Sequence, residues 1–375
     1  MPQSAVLVAN REVIEQASAS GAPQNVYGVF RPKEGLIQIL SRTPDPSPPL
    51  RRIGVVNPGS REKGTSIALP MEGRTGVIVL DRGLPEPSEV RLLAPWVSLD
   101  DRRRGLLPNE GLGNKEVHLI GGGSLGSAVG LLLAQAGVGR FRIYDRDWLD
   151  TPNLARHVCG LVDLGREKSL ALAEQLSLRG CDALGVTVDV TSLDDRQLDL
   201  LLKPSDVVVA TTDSLAAQFM VNEAVVRGRK HAAFAGAYEL ASGGEVLVVS
   251  GGAGPCLYCA TGFRATAMSA LSLHERRQAY QGADENRLSA EPGLAIDISY
   301  LAAITAAHVL DLLDRAGSRA VLRRRSTFTL YHGPSAPRGA QRELFRAPLE
   351  SIAVTVTRDD ACPVCGFVSD REQRV

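Results

Sequence analysis

Three glycines, Gly121, Gly123 and Gly126, stand in the pattern G-x-G-x-x-G directly after a short apolar run. Glycines at that spacing form a turn that cradles a phosphate. The first permits a tight bend, the second lets an anion approach the backbone, and the third lets a helix close on a strand. Asp145, nineteen residues beyond Gly126, offers a carboxylate to a ribose hydroxyl. Asp147, Asn153, Arg156, His157 and Lys168 follow within one short segment. A dinucleotide site needs the carboxylate but has no call for an added arginine and lysine. Those two cations suit displacement at the α-phosphate of ATP, where charge builds on the phosphoryl oxygens and the leaving pyrophosphate. This disfavours a redox dehydrogenase.

The elements that must hold these residues can be read from periodicity. Residues 117–120 form an apolar strand, 124–136 a helix that is apolar nearly all round, and 141–144 a second strand. The helix start offers free N–H groups and partial positive charge to a phosphate. Helices over 167–178, 193–202 and 215–226 alternate with strands over 185–190 and 206–210. Such alternation predicts an α/β fold with a doubly wound, mostly parallel, Rossmann-like sheet. Asp213 follows the last of these strands, at the carboxyl end where open α/β sheets hold ligands. Its competing role is to cap the helix over 215–226.

Cysteines give a second signal. Cys256-x-x-Cys259 and Cys362-x-x-Cys365 are separated by 102 residues. Paired hooks of this kind in a cytosolic chain point to a closed, structural four-cysteine zinc site rather than to disulfides. Cys181 reads as an inert core thiol. So does Cys159, although its place between Arg156 and Lys168 would let an electropositive setting lower its pKa.

With 375 residues, 44% of them apolar, the chain can bury full cores, and two domains are expected. Lys+Arg and Asp+Glu balance at 42 each, so no global field draws it to nucleic acid or membrane. The N-terminus lacks the apolar core of a signal peptide. Residues 294–313 are apolar, but Asp297, His308 and Asp311 interrupt them, which fits a buried helix better than a span. A cytoplasmic location is expected. Residues 1–100 read as a small N-terminal α/β domain, with strands over 26–30, 36–40, 53–56 and 76–80 and a helix over 9–18. This domain serves either dimerisation and stability or as a clamp for a protein or peptide. Residues 101–375 form the second domain.

Taken together, from Gly105 to Gly366, these motifs resemble the ThiF/MoeB superfamily, the adenylation core shared with ubiquitin-activating enzymes. The resemblance implies that Asp145 holds the ATP ribose and that Asp147 belongs to the nucleotide set. Asn153, Arg156 and Lys168 would hold the triphosphate, and Asp213 would ligate Mg²⁺. The family's C-T-D-N motif reads Thr211-Thr212-Asp213-Ser214 here, so only the flanks differ. A substrate carboxylate then attacks the α-phosphate without a general base, being already ionised at pH 7. The zinc would staple the C-terminus to the core. Residues 263–292 resemble the crossover loop that passes over the substrate tail. Ser289 stands where thioester-forming members carry cysteine, so the chain either only adenylates or carries a Cys→Ser change. An arginine among Arg102, Arg103 and Arg104 would reach a neighbouring subunit's ATP site; otherwise these three are a solvated run.

The resemblance implies ATP-dependent activation of a ubiquitin-like protein with an exposed C-terminal tail, with a homodimer and a conjugating enzyme as partners. The alternatives are a sulfur-carrier protein, a short ribosomal peptide, or a non-catalytic scaffold. Retention of Asp145, Arg156, Lys168 and Asp213 argues against the scaffold.

Overall fold

A computed structural model describes residues 5–42, 50–57, 64–71, 74–93, 111–238, 241–252, 254–260, 293–313, 328–333 and 341–366. The chain divides into two compact units, Met1–Leu106 and Leu107–Val375. Arg102 to Arg104, and residues 263–292 with Ser289, lie outside the described residues.

Among its described residues the first unit is a mixed sheet with one helix. Its strands are β1 (Ala5–Asn10), β2 (Gln24–Arg31), β3 (Leu36–Ser41), β4 (Arg51–Val56), β5 (Thr65–Met71), β6 (Arg74–Leu80) and β7 (Pro87–Leu93), in the order β5-β6-β4-β2-β3-β1-β7. β1 runs parallel to both β3 and β7. Helix α1 (Arg11–Ala19) buries Ile14 and Ala17 against Leu7, Ile37, Ile39 and Ile53. Three strands, β1, β5 and β7, escape the sequence reading, and Ala9 and Asn10 belong to β1 rather than to the helix. Pro70 makes β5 look like a loop, yet an edge strand tolerates a residue that cannot donate to a ladder.

In the second unit the order of elements is β8 (Glu116–Ile120), α2 (Ser124–Ala136), β9 (Arg140–Asp145), α3 (Lys168–Ser177), β10 (Asp182–Thr187), α4 (Asp195–Leu202), β11 (Val207–Ala210), α5 (Leu215–Arg227), β12 (His231–Ala237), β13 (Gly243–Val249), α6 (Ala295–Leu313), β14 (Phe328–His332) and β15 (Ser351–Val354). The sheet order is β10-β9-β8-β11-β12-β13-β14-β15. Its first five strands are parallel. The other three join antiparallel, so the sheet is mixed.

Period-2 alternation splits the side chains between two cores. Val117, Leu119, Val207, Val209, Ala233 and Ala235 face α2, α3 and α6. Ile120, Val208, Ala210, Ala232 and Phe234 face α4 and α5. β10 begins and ends three residues earlier than its apolar pattern suggests. Pairing with β9 fixes it from Asp182↔Arg140 to Thr187↔Asp145, and α3 packs so closely that a β-carbon on Gly185 would meet the Ser169 carbonyl at 2.3 Å.

By length and composition α6 could cross a membrane, but Ile298, Leu301, Ala302, Ala306 and Val309 are buried in the first of these cores. Its buried His308 meets the Thr329 hydroxyl at 3.0 Å. The strand order reverses between β8 and β11. The loops leaving their carboxyl ends therefore part and open a crevice.

Candidate functional site

The crevice is built from the glycine turn upward. Gly121 takes φ +98°, and a β-carbon there would stand 2.8 Å from the Thr212 nitrogen. One on Gly126 would stand 2.0 Å from the Gly121 carbonyl and 2.6 Å from Thr211 Oγ1. Thr211 Oγ1 donates to that same carbonyl at 2.9 Å. These contacts lock the turn onto the end of β11. Beside Gly123, by contrast, nothing lies within 4 Å of a β-carbon position, and among the described residues no side chain caps the start of α2. A helix N-terminus facing open space is what an anion requires.

Asp145, at the end of β9, is braced by the backbone. Its Oδ2 accepts the Gly122 N–H at 2.6 Å and its Oδ1 the Asp147 N–H at 2.8 Å. Burial raises its pKa, against the pull of those two N–H groups and of Lys168. Each oxygen keeps a second lone pair that can accept from a hydroxyl.

Asp147 accepts from Lys168 Nζ at 3.1 Å through Oδ2, and its carbonyl accepts the Lys168 N–H at 2.9 Å. Further pairing of Leu149 with Gly165 and Arg166 clips the two segments together. Lys168 is thereby held at the first position of α3 with only 12% of its side chain exposed.

Asn153 closes a one-turn helix, Thr151–Ala155, by accepting the Asp150 N–H at 3.0 Å. Arg156 ends that turn. Its guanidinium lies by Gly293, where a β-carbon would come within 3.3 Å of Nη1. Asp213 is exposed on the turn after β11. It does not cap α5: the hydroxyl of Ser214 does, accepting the Ala217 N–H at 3.3 Å.

Two residues near the crevice, His157 and Arg146, were given no role by the sequence reading. His157 is buried, and its Nδ1 accepts the Cys159 N–H at 3.1 Å, so the proton sits on Nε2 and is donated to the Gly122 carbonyl at 2.6 Å. Burial lowers its pKa, which keeps the ring neutral. Its partner lies 35 residues away, so no local pattern could reveal the role. Arg146 donates to Asp189 at 2.7 Å, and its charge is favoured first by Asp189 and, more weakly, by Asp147 and Asp213. Cys159 is the inert core thiol that the sequence reading favoured, and the alternative of an electropositive setting that lowers its pKa does not hold. Cys159 is buried, and burial pushes its thiol up to about 12.

The four hook cysteines lie apart from the crevice residues in sequence and converge in space. All four Sγ atoms are within 4.8 Å of one another, with Cys256–Cys362 at 3.7 Å and Cys259–Cys365 at 3.4 Å. All are free thiols. Thiolates about 2.3 Å from one zinc stand about 3.8 Å apart in a tetrahedron, so the set fits that ion. The two hooks share a backbone pattern but differ in balance, since the pKa of Cys256 is raised and that of Cys362 is lowered to about 7. Cys256 is pushed up by burial but receives the N–H groups of Cys259 and Tyr258. Cys362 receives those of Cys365 and Val364. Donors aimed at sulfur suit thiolate ligands.

A mixed sheet whose five parallel strands carry a glycine turn, a braced carboxylate and two cations at the switch point defines a nucleotide-binding α/β protein. Residues 102–342 match the model of the ThiF family, and the chain belongs to it. It is 31% identical over 149 residues to the sulfur carrier protein ThiS adenylyltransferase of Bacillus subtilis, covering 38% of this chain and 42% of that protein. It is 32% identical over 140 residues to the probable adenylyltransferase/sulfurtransferase MoeZ of Mycobacterium tuberculosis, covering 37% and 34%. The matches thus span less than half the length of these relatives. Among solved structures, E. coli MccB with ATP aligns at a TM-score of 0.51 and 19% identity, covering 68% of each chain, a likeness of fold.

Proposed function

We propose that this chain adenylates the C-terminal carboxylate of a ubiquitin-like protein, sulfur carriers included, using ATP. The observation that carries the reading is the convergence of the open Gly123 turn, the braced Asp145 and the ordered Lys168 on one crevice. The α2 N-terminus binds phosphate oxygens, and Asp145 accepts from the ribose. Lys168, released in part from Asp147, and Arg156 oppose the charge that grows on the α-phosphate and the leaving pyrophosphate. Asn153 turns its amide toward the phosphates while its carbonyl holds the turn.

An oxygen of the substrate carboxylate bonds to the α-phosphorus, and the bond to the bridging oxygen breaks. Pyrophosphate leaves with that electron pair. No proton moves, so positioning and electrostatics supply the catalysis. Asp213, free of capping duty, would hold Mg²⁺, a hard ion that takes oxygen ligands and neutralises phosphate charge. Cys256, Cys259, Cys362 and Cys365 would hold one structural zinc.

The relatives' names support a small carrier protein as substrate, and we propose action in the cytoplasm as a homodimer. Leu161 and Val162, 74% and 87% exposed on a one-turn helix, and Ile296 and Tyr300 on α6 supply apolar surface for a second copy.

Pyrophosphate–ATP exchange that depends on an added carrier protein tests the reading. NADH binding without ATP binding would sink it. Exchange with a short peptide but no carrier would favour a peptide substrate. Ser289→Cys separates adenylation from transfer: a reductant-cleavable adduct with the carrier indicates a thioester step and a downstream conjugating enzyme. Normal exchange without the adduct indicates adenylation alone.

A further inference from the structure

Helix α5 follows the Asp213 turn directly and, eight residues into its length, carries a side chain that belongs to the cysteine cluster. Asn222 is fully buried. Its Oδ1 accepts the N–H of Leu257, the residue after Cys256, at 2.9 Å. Among the described residues, its Nδ2 is buried without an acceptor in hydrogen-bond geometry, although it lies against the Cys256 sulfur. An amide donor left unmade in the interior is costly unless something else completes it. The atom that can do so is a metal-bound thiolate, which is anionic and stronger as an acceptor than a neutral thiol.

The rest of the hook is tied to the same helix. The Tyr258 hydroxyl donates to Glu223 at 3.2 Å, the Phe219 and Tyr258 rings lie 4.6 Å apart, and Val226 packs on the cysteines.

We propose that Asn222 is the positioning residue of the metal site, holding the Cys256–Cys259 hook on α5 through Oδ1 and donating through Nδ2 to the Cys256 sulfur of the loaded cluster. This rests on the zinc reading above. One helix then serves both regions, since the turn that precedes it presents Asp213 and its own Gln218 donates to the Thr212 carbonyl at 2.7 Å. The amide spreads charge off the sulfur and blocks the swing of the hook that precedes metal loss.

The test uses the full chain loaded with one metal. Asn222→Asp keeps an acceptor for the Leu257 N–H and replaces the donor with oxygen; Asn222→Leu removes both at similar volume. Each should release zinc to a chromophoric chelator at least about tenfold faster than the unmodified chain, the scale of a lost partner behind a ligand. Each should also shift the thiolate-to-metal band of the cobalt-substituted protein. In the unmodified chain loaded with cadmium-113, the Asn222 side-chain amide should show scalar coupling to the metal, a readout that needs no variant to fold. Absent coupling, or unchanged release and bands in folded variants, overturns the proposal. An unmodified chain that takes up no zinc overturns the zinc reading itself, and this proposal with it.

Discussion

The nucleotide crevice and the cysteine cluster solve opposite problems. In the crevice, three side chains already have protein partners: Asp145 its two N–H groups, Lys168 its aspartate, His157 the Gly122 carbonyl. The crevice is shaped before any ligand arrives, and a substrate has only to displace water and loosen one ion pair. In the cluster, four thiols, three of them buried, and an incompletely paired amide face one another. Such a group is satisfied by a metal and strained without one. On the proposed function, the first region is preorganised for turnover. On the zinc reading, the second is a fastening whose stability would be that of its ion.

The sharpest way to break this contrast is to remove the metal. Chelation under reducing conditions, or Cys362→Ser, should cost several kcal/mol and lower Tm on the order of 10 °C for a unit this size. Removing nucleotide should lower the Tm of the metal-loaded chain much less, by the few degrees that lost ligand binding accounts for. Calorimetry with parallel zinc analysis checks this, and a chelated protein with an unchanged Tm would contradict it.

Next in size is Gly126→Ala. Its β-carbon would stand 2.0 Å from the Gly121 carbonyl, which is backbone and cannot yield cheaply. Stability should fall by about 3 kcal/mol, at the upper end for overpacking. ATP affinity should fall with it while zinc content stays constant.

Lys168→Ala separates catalysis from stability. Exchange should drop at least about tenfold, or about 1.4 kcal/mol of barrier. Its lost partner, the largely exposed Asp147, should leave Tm within a degree or two. A matching loss in both measurements would mean that the crevice is not preformed.

The smallest effect is in pH. Burial holds His157 neutral and its pKa below 6.5 in the folded chain. As pH falls below about 6.5, the unfolded chain binds a proton that the folded chain refuses, so stability declines down to the folded value and levels off beneath it. His118, buried on β8, shifts in the same direction, again chiefly by burial and against the opposing pull of Glu116. His157→Gln should flatten part of the slope, as read from urea unfolding between pH 7 and 5. An unchanged slope would remove His157 from this role.

What depends on residues close in the chain was legible from their order alone. The glycine turn and α2, with bounds 124–136 as its pattern implies, follow from local sterics and from an apolar run ended by Gly137 in a left-handed conformation. The two cysteine hooks were legible because thiol chemistry leaves few uses for that spacing. Tertiary structure alone decided the rest, because the partners are far apart along the chain. It gave helix capping to Ser214 and left Asp213 exposed, and it buried Cys159 beyond reactivity. It also set His157 under a carbonyl 35 residues away and lodged Asn222 beside Cys256. In the first unit, β5 and β7 became strands only because neighbours supplied the ladders that their own residues do not announce. A side chain's type limits what it can do. Which of those things it does is settled by the groups that folding brings within about 3 Å of it.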